Sequence, residues 1–159
     1  MITKYLIVFL ISMVPLIELR GAIPYAVAFH IPTLPAYLIA VIGNMLPVPI
    51  IFLFARKVLV LGCDKKYIGK FFTWCLEKGE KGGEKLKAKA GRGLPLALLL
   101  FVGIPLPGTG AWTGTLAASI LDMDFKTSVL AVMGGVLLAS VIMLLASSGV
   151  FGAIGALLT

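Results

Sequence analysis

The sequence predicts an all-α membrane protein built from two repeats, each a broken re-entrant helical hairpin followed by a transmembrane helix. Three observations lead to this prediction. Of the 159 residues, 60% are hydrophobic and 13% are charged, whereas a soluble domain carries about 25% charged residues. Two apolar stretches are interrupted and two are not, and each interrupted stretch precedes an uninterrupted one. Four full spans are the alternative.

A chain of this length is expected to form one domain, so we treat 1–159 as a single membrane domain. Repeat one covers 1–55, a basic connector covers 56–93, and repeat two covers 94–159. The two repeats are expected to be inverted relative to one another. The reasons follow element by element.

The first interrupted stretch, 5–31, is broken at Pro15 and at Glu18 to Gly21. Its limbs, 5–17 and 21–31, would each be roughly 16–20 Å long as helices. One such limb reaches the middle of a bilayer and not its far side. The stretch is therefore either a re-entrant hairpin with its tip near the midplane or one long broken span. The Gly-, Pro- and charge-rich break favours the hairpin.

The uninterrupted stretch 36–54 is long enough to cross a bilayer as a helix, and so is 127–148 near the end of the chain. Between 94 and 121 lies the second interrupted stretch, with limbs 94–104 and 111–121. The order of elements thus repeats. When the two halves are aligned with an offset of 91 residues, five pairs of positions carry the same residue: Ala26 with Ala117, Ala40 with Ala131, Val41 with Val132, Gly43 with Gly134, and Leu46 with Leu137.

The connector concentrates the positive charge, since eleven of the fourteen Lys and Arg residues lie between Arg56 and Arg92. By the positive-inside rule the connector is cytoplasmic, in a multi-pass protein of the plasma membrane. Because it stays on one side, re-entrant hairpins would give the two halves opposite orientations. Four full spans would instead give parallel halves. The net charge of +7 is accompanied by no nucleic-acid-binding motif, so lipids rather than nucleic acids are the expected partners.

Aromatic residues stand among the lysines of the connector segment Asp64–Glu77. The pattern suits either an amphipathic helix on the inner membrane surface or a packed connector helix. Cys63 and Cys75 are expected to be ordinary thiols, because their spacing matches no usual metal site. No metal or cofactor is predicted. His30 is interpreted as an interfacial residue, and the residues from Asp122 to Lys126 as a solvated turn.

Glu18 and Arg20 are the outstanding residues of the first break. A charge at membrane depth costs at least ~2.5–3.5 kcal/mol, so the pair is either an ion pair that orders the hairpin tip or a binding site. Arg presents a planar fork suited to phosphate or carboxylate. Gly21 is expected to start the second limb, whose unpaired N–H groups favour an anion. Glu18 would then accept a proton beside that anion.

The second break is uncharged and rich in glycine, from Pro107 to Gly114. A threonine there would cap the following limb, and the limb's N–H groups again favour an anion. Close packing of small residues is the alternative. The predicted substrate site draws on both breaks, with Pro24 and the span residue Asn44 added: Glu18, Arg20, Gly21, Pro24, Asn44, Pro107, Gly108, Thr109, Gly110, Trp112 and Thr113.

Three motifs resemble the small multidrug export protein family: Glu-Leu-Arg-Gly-Ala-Ile-Pro at 18–24, Gly-Asn-Met-Leu-Pro-Val-Pro at 43–49 and Ile-Pro-Leu-Pro-Gly-Thr-Gly-Ala-Trp-Thr-Gly at 104–114. The architecture is also similar to that of the wider DedA or VTT-type membrane proteins. That similarity implies paired re-entrant hairpins and movement of polyprenyl phosphate or phospholipid across a bilayer.

These features predict a secondary transporter or flippase for an anionic amphiphile such as a lipid-linked phosphate, coupled to protons through Glu18. A proton-coupled exporter of cationic drugs is the first alternative, although Arg20 beside Glu18 would repel a cation. A non-transporting membrane assembly factor is the second. An enzyme is not expected, since no acid and base stand at catalytic spacing. A homodimer is compatible with the small size of the chain.

Overall fold

The structure is a computed structural model that describes residues 2–15, 17–67, 69–70, 73–74, 77, 93–106 and 108–158. Within these ranges the regular elements are all α-helices, which confirms the predicted class. The helices whose bounds lie within the described residues are α1 (Ile2–Met13), α2 (Glu18–Ala28), α3 (Thr33–Met45), α4 (Pro47–Cys63), α5 (Leu94–Gly103), α6 (Ala111–Ile120) and α7 (Phe125–Leu158).

Each interrupted stretch forms two short helices separated by a break. The first break covers 14–17, between α1 and α2, and the second covers 104–110, between α5 and α6. These four helices have 12, 11, 10 and 10 residues. At 1.5 Å per residue each is about 15–18 Å long, which is roughly half the thickness of a hydrocarbon core.

The first break ends three residues earlier than the sequence suggested. The Glu18 N–H donates to Val14 O at 3.0 Å, and the Gly21 N–H donates to Ile17 O at 3.1 Å. Gly21 therefore lies inside the first turn of α2, and the expectation that it starts this helix is wrong. Pro15 ends the preceding helix, because a proline disfavours helical geometry at the residue before it. Glu18 takes a left-handed φ of 53°, and this turns the chain into α2.

In the described part of the chain, two helical stretches are long and apolar enough to cross a membrane. One is Thr33–Ala55, 23 residues, and the other is Phe125–Gly149, 25 residues. Their lengths correspond to about 35 Å and 37 Å of helix, against a hydrocarbon core of about 30 Å. The first stretch changes from α3 to α4 at Leu46, where Pro47 opens the new helix. The second lies within α7, which runs on for 34 residues.

The helix packing brings the two breaks together. α1 packs on α3 at Gly43, where an added Cβ would lie 2.8 Å from Phe9 O. α5 packs on α7 at Gly135, where an added Cβ would lie 2.7 Å from Leu99 O. Such close backbone approach requires glycine. α2 in turn lies against α7, and α6 lies against α4. The second helix of each hairpin therefore contacts the span of the other half.

α2 and α6 end in the same way. His30 and Asp122 follow the two helices with left-handed φ values of 52° and 51°. A backbone hydrogen bond spanning five residues closes each end: Ile31 N–H to Ala26 O at 2.9 Å, and Met123 N–H to Ala118 O at 3.1 Å. This is the Schellman arrangement. The matching positions lie 92 residues apart, one more than the offset of the sequence identities.

The turn from Asp122 to Lys126 is exposed at Asp122, Asp124 and Lys126. Asp124 Oδ2 accepts hydrogen bonds from the Thr127 N–H and from Thr127 Oγ1, both at 3.0 Å. It thereby caps the start of α7. These two bonds, the backbone N–H first, hold the pKa of Asp124 below its ordinary value.

The connector is described in part. Helix α4 extends into it as far as Cys63, and the described residues of the segment that follows are helical at Gly69, Lys70, Thr73, Trp74 and Glu77. The rest of the predicted amphipathic segment lies outside the described residues, as do Cys75 and 78–92. The amphipathic helix and the thiol assignment of Cys75 stay predictions.

Candidate functional site

The side chain of Glu18 joins the first break to the second. It is only 4% exposed. Its Oε2 accepts a hydrogen bond from the Ala111 N–H at 3.1 Å, and its Oε1 accepts one from the Trp112 N–H at 3.0 Å. Glu18 therefore satisfies two of the N–H groups that the start of α6 leaves without helical partners. The sequence suggested an external anion for these groups, and the structure fills them with a carboxylate of the same chain.

Gly110 makes room for that carboxylate. An added Cβ at Gly110 would lie 2.5 Å from Glu18 Oε2 and 2.7 Å from Oε1, closer than atoms can approach. The residue also has a φ of 138°, which L-residues rarely adopt. Glycine is required here for both reasons. Position 110 stands 92 residues after Glu18, so the acid and the gap that receives it occupy matching places in the two halves.

Arg20 binds the other side of the second break. Its Nη1 donates to Leu106 O, and its Nη2 donates to Thr109 Oγ1 at 2.7 Å and to Ile104 O at 3.4 Å. The Thr109 hydroxyl lies 2.9 Å from Ile104 O and 2.8 Å from Leu106 O. Arg20 and Thr109 together therefore satisfy carbonyl groups just beyond the end of α5.

The placement of the two charges follows the helix dipoles. Glu18 lies at the start of α6, where the dipole is positive, and Arg20 lies beyond the end of α5, where it is negative. Each group therefore stabilises one edge of the second break. The simple ion pair considered from sequence is replaced by two separate sets of hydrogen bonds to the opposite hairpin.

Trp112 returns the contact from the second hairpin to the first. Its indole Nε1–H donates to the carbonyl oxygen of Met13, the last residue of α1, at 3.2 Å. Arg20 and Trp112 stand 92 residues apart, and each caps the end of the first helix in the other hairpin. The contact between the breaks is thus reciprocal.

A cavity of about 470 Å³ opens beside Glu18, between the breaks, α4 and α6. We refer to it as the Glu18 cavity. Among the described residues that line it, Glu18 is the ionisable one and Thr109 and Thr113 supply hydroxyls. The remaining lining is apolar or aromatic: Pro15, Ile50, Ile51, Phe54, Ala55, Val58, Trp112 and Leu116.

The predicted site residues divide into several groups. Glu18, Thr109, Trp112 and Thr113 line the Glu18 cavity. Arg20 and Gly110 shape it from outside through the contacts described above. Gly108, exposed with a φ of 81°, belongs to the turn of the second break. Gly21 and Pro24 lie inside α2, away from the lining. Pro107 lies outside the described residues.

Asn44 is placed elsewhere. It lies in α3, only 1% exposed, and neither its amide oxygen nor its amide nitrogen has a hydrogen-bond partner in the described part of the chain. Thr115 Oγ1, in α6, shares this property. Neither residue lines the Glu18 cavity. Asn44 is therefore separate from the predicted cluster.

Sequence reasoning missed the α4 wall of the cavity. Ile50, Phe54 and Val58 follow one another at steps of four residues and so share one face of α4. In the sequence these residues are indistinguishable from lipid-facing ones. The described residues include no group of three or more His, Cys, Asp or Glu side chains that would hold a metal ion.

With this geometry established, comparison with protein families gives one match. The model of the family described as "Putative small multi-drug export protein" matches residues 18–142, most of the chain. The chain belongs to this family. Neither the curated proteins nor the solved structures gave a significant match.

The match to the small multi-drug export family begins at Glu18 and includes the second break, the first candidate span and most of the second. Family membership and the apolar helices together suggest a membrane transporter. The family description concerns export rather than a chemical reaction, and this fits a protein that is not an enzyme.

Proposed function

We propose that this chain is a proton-coupled membrane exporter in which Glu18 carries the proton and the Glu18 cavity binds an apolar, cationic substrate. The observation that carries the proposal is the position of one buried carboxylate at the wall of a mostly apolar cavity. An ionisable group at membrane depth is by default a functional group. The family's description as an export protein supports the same reading.

The cavity favours this class of substrate. Its volume of about 470 Å³ falls in the range of small-molecule sites, about 300–1,000 Å³. Its walls offer apolar area and the faces of Trp112 and Phe54, which attract cations. The Glu18 carboxylate supplies the opposite charge. A cation and a proton would compete for that carboxylate, and such competition couples export of one to import of the other.

Arg20 no longer counts against a cation. Its guanidinium donates to Leu106 O, Ile104 O and Thr109 Oγ1, and it is not among the residues that line the cavity. These oxygens carry partial negative charge, so they lower the positive potential that Arg20 presents to the cavity. The same contacts use the planar fork that would otherwise bind a phosphate, so the anionic substrate predicted from sequence becomes the second candidate.

An anionic amphiphile keeps one observation in its favour. The N–H groups of Ala111 and Trp112 already bind a carboxylate, that of Glu18. A protonated Glu18 accepts fewer hydrogen bonds, so protonation would release at least one of these donors to an external phosphate or carboxylate. This second mechanism moves a proton and an anion in the same direction, whereas the first exchanges a proton for a cation.

The proposed topology has two re-entrant hairpins that enter from opposite faces of the plasma membrane, with the basic connector in the cytoplasm. Helices of about 15–18 Å in the hairpins and two longer apolar stretches support it. α4 leads into the connector and the connector leads into α5, so the second hairpin would enter from the face that α4 reaches. The halves would then be inverted, as in many secondary transporters.

The test uses the full chain reconstituted in phospholipid vesicles that contain a pH-sensitive dye. A lipophilic cation, tetraphenylphosphonium, is added, and proton movement is recorded. The wild type is compared with Glu18→Gln and with Asp124→Asn. The second substitution makes the same chemical change at an exposed carboxylate outside the cavity, and asparagine also caps helices well.

The wild type and Asp124→Asn are expected to couple cation and proton movement, whereas Glu18→Gln loses the coupling by at least about tenfold. Thermal unfolding of each variant in detergent checks that the protein is folded. Full coupling in folded Glu18→Gln would refute the role of Glu18. Proton movement driven by a short-chain phosphatidate and not by the cation would replace the first candidate with the second.

A further inference from the structure

We propose that the chain binds one phosphatidylethanolamine molecule in the groove between α4 and the end of α6, here named the α4–α6 groove. The groove has a volume of about 720 Å³, within the range of small-molecule sites, about 300–1,000 Å³. It shares no described lining residue with the Glu18 cavity. The site is therefore separate from the one proposed for transport, and the inference does not depend on that proposal.

A hydrogen bond joins the two sides of the α4–α6 groove. The Ser119 hydroxyl, near the end of α6, donates to Phe52 O in α4 at 2.8 Å. Both residues line the groove, and Ser119 is buried. A ligand would therefore enter a groove whose walls are already connected, and such preorganisation lowers the entropic cost of binding.

Most of the groove lining is apolar and begins within the first candidate span. The apolar and aromatic residues among those that line it are Phe52, Leu53, Val60, Leu61 and Met123. Phe52 and Leu53 belong to the span Thr33–Ala55, and more than half of the Leu53 side chain is exposed. An exposed apolar surface at the level of the hydrocarbon core fits the acyl chain of a lipid.

Two opposite charges, Lys57 and Asp122, line the same groove, and both residues are exposed. Lys57 stands two residues after the end of the first candidate span, and Asp122 stands three residues before the start of the second, Phe125. The rings of Phe52 and Phe125 meet edge to face with their centroids 5.3 Å apart. The end of one span and the start of the other therefore lie at the same level. Both charges are thus placed where the hydrocarbon core meets the headgroups.

The two charges favour one kind of phospholipid headgroup. A phosphate complements the Lys57 ammonium, and a headgroup ammonium complements the Asp122 carboxylate. Phosphatidylethanolamine carries both groups, and its primary ammonium can donate hydrogen bonds to the carboxylate. The quaternary ammonium of phosphatidylcholine has no N–H to donate, and phosphatidylglycerol has no cation to offset the charge of Asp122. The groove therefore favours phosphatidylethanolamine over the other two lipids.

The first test determines whether a lipid occupies the groove. The full chain, with Cys63 and Cys75 replaced by serine, is purified in detergent and carries a bimane fluorophore on Leu53→Cys. Phosphatidylethanolamine with brominated acyl chains, which quench bimane on contact, is then titrated. The control carries the fluorophore on Ile42→Cys, a position of α3 that is also more than half exposed and does not line the groove.

Quenching at position 53 is expected to saturate at about one lipid per chain, because a groove of this volume admits a limited number of ligands. Quenching at position 42 should rise in proportion to the lipid in the micelle. The same unsaturated rise at both positions would overturn the inference, since the lipid would then belong to the surrounding layer. A dimeric mass without quenching at position 53 would assign the groove to a second copy of the chain instead.

The second test measures the role of the two charges by native mass spectrometry, which counts bound lipids. The three lipids are added separately, at the same concentration, to the wild type, to Lys57→Met and to Asp122→Asn. Methionine keeps an unbranched side chain without the charge, and asparagine tolerates the left-handed backbone of position 122. The matched controls are Lys126→Met and Asp124→Asn, at exposed positions of the neighbouring turn that do not line the groove.

Lys57→Met is expected to weaken the binding of all three lipids by about three- to tenfold, between the effect of an exposed ion pair and that of a hydrogen bond to a charged group. Asp122→Asn should lower the affinity for phosphatidylethanolamine and raise that for phosphatidylglycerol, and the controls should bind as the wild type does. Equal affinity of the wild type for the three lipids, or unchanged binding by both groove variants, would contradict the proposed site. Neither test involves transport, so the result is independent of the proposed function.

Discussion

At the scale of single residues, the site depends on the carboxylate of Glu18 and on a glycine, Gly110. Glu18 fits against the start of α6 because Gly110 carries no Cβ. Arg20 donates hydrogen bonds to the opposite edge of the break. Substitution of Arg20 by lysine would therefore disturb the fold of the break, and the resulting loss of activity would not identify a phosphate-binding residue.

Gly110→Ala should destabilise the protein strongly. The new Cβ would overlap the Glu18 carboxylate, and a φ of 138° strains any L-residue. We expect a cost of about 2–4 kcal/mol from backbone strain and from the loss of charge-assisted hydrogen bonds. The control is Gly108→Ala, which has a φ of 81° but open space around the added atom, and it should cost only about 1–2 kcal/mol.

Thermal unfolding in detergent measures both variants. The Glu18→Ala background adds a second comparison. There the Cβ of Gly110→Ala no longer overlaps the Glu18 carboxylate, so the substitution costs only the backbone strain. The pairing of Glu18 with Gly110 would be refuted if Gly110→Ala lowered the melting temperature no more than Gly108→Ala does, or by equal amounts in both backgrounds.

The sequence identified most of these residues and few of their partners. Glu18 and Arg20 stood out because charges are costly at membrane depth, and Gly110 stood out because it interrupts an apolar stretch. Their hydrogen bonds join residues 84 to 94 positions apart, and no local pattern specifies such contacts. Phe54 and Leu116 were missed because apolar residues that face a cavity and those that face lipid look alike in a sequence.

At the scale of elements, the sequence predicted the all-helical class and the two long apolar stretches, but it misplaced the start of α2. The second limb of the second hairpin begins at Ala111, as expected, because glycines before it end the preceding structure. The first hairpin restarts at Glu18 rather than at Gly21. There the left-handed backbone of Glu18 provides the turn that glycine was expected to provide. The interface with α6 stabilises this unusual conformation.

Helix packing against each hairpin should depend on Gly43 and Gly135. An alanine Cβ would meet backbone oxygens at 2.8 Å and 2.7 Å respectively, and backbone cannot give way as a side chain can. We expect Gly43→Ala and Gly135→Ala each to cost about 1–3 kcal/mol through overpacking. Gly149→Ala in the same helix as Gly135 has nothing within 4 Å of the added atom. It should be neutral or stabilising by up to about 1 kcal/mol.

Melting temperatures of the three variants in one detergent give the comparison directly. Similar decreases in melting temperature for the substitutions at positions 43 and 135, with no decrease at 149, would agree with close helix packing at both glycines. A neutral result at either of the first two positions would show that the hairpin moves away from its span, contrary to the close approach in this structure.

At the scale of the whole molecule, the candidate site combines residues from before and after the connector. The charged residues of the site come from the first half and the glycine-rich break from the second, so neither half holds a complete site alone. A binding site at the junction of two halves is accessible from either face without moving, provided that the halves exchange conformations.

The orientation of the halves gives the last prediction. In the re-entrant arrangement the start of α3 faces outside and the start of α7 faces the cytoplasm, whereas four full spans place both outside. Single cysteines at Thr33 and Lys126, both exposed, separate these cases in a chain with Cys63 and Cys75 replaced by serine. A membrane-impermeant maleimide on intact cells should label position 33, and position 126 only after permeabilisation. Lys66→Cys in the connector is the control, since it is cytoplasmic in both arrangements. Labelling of 33 and 126 in intact cells, with 66 protected, would establish four spans and refute the inverted arrangement of the two repeats.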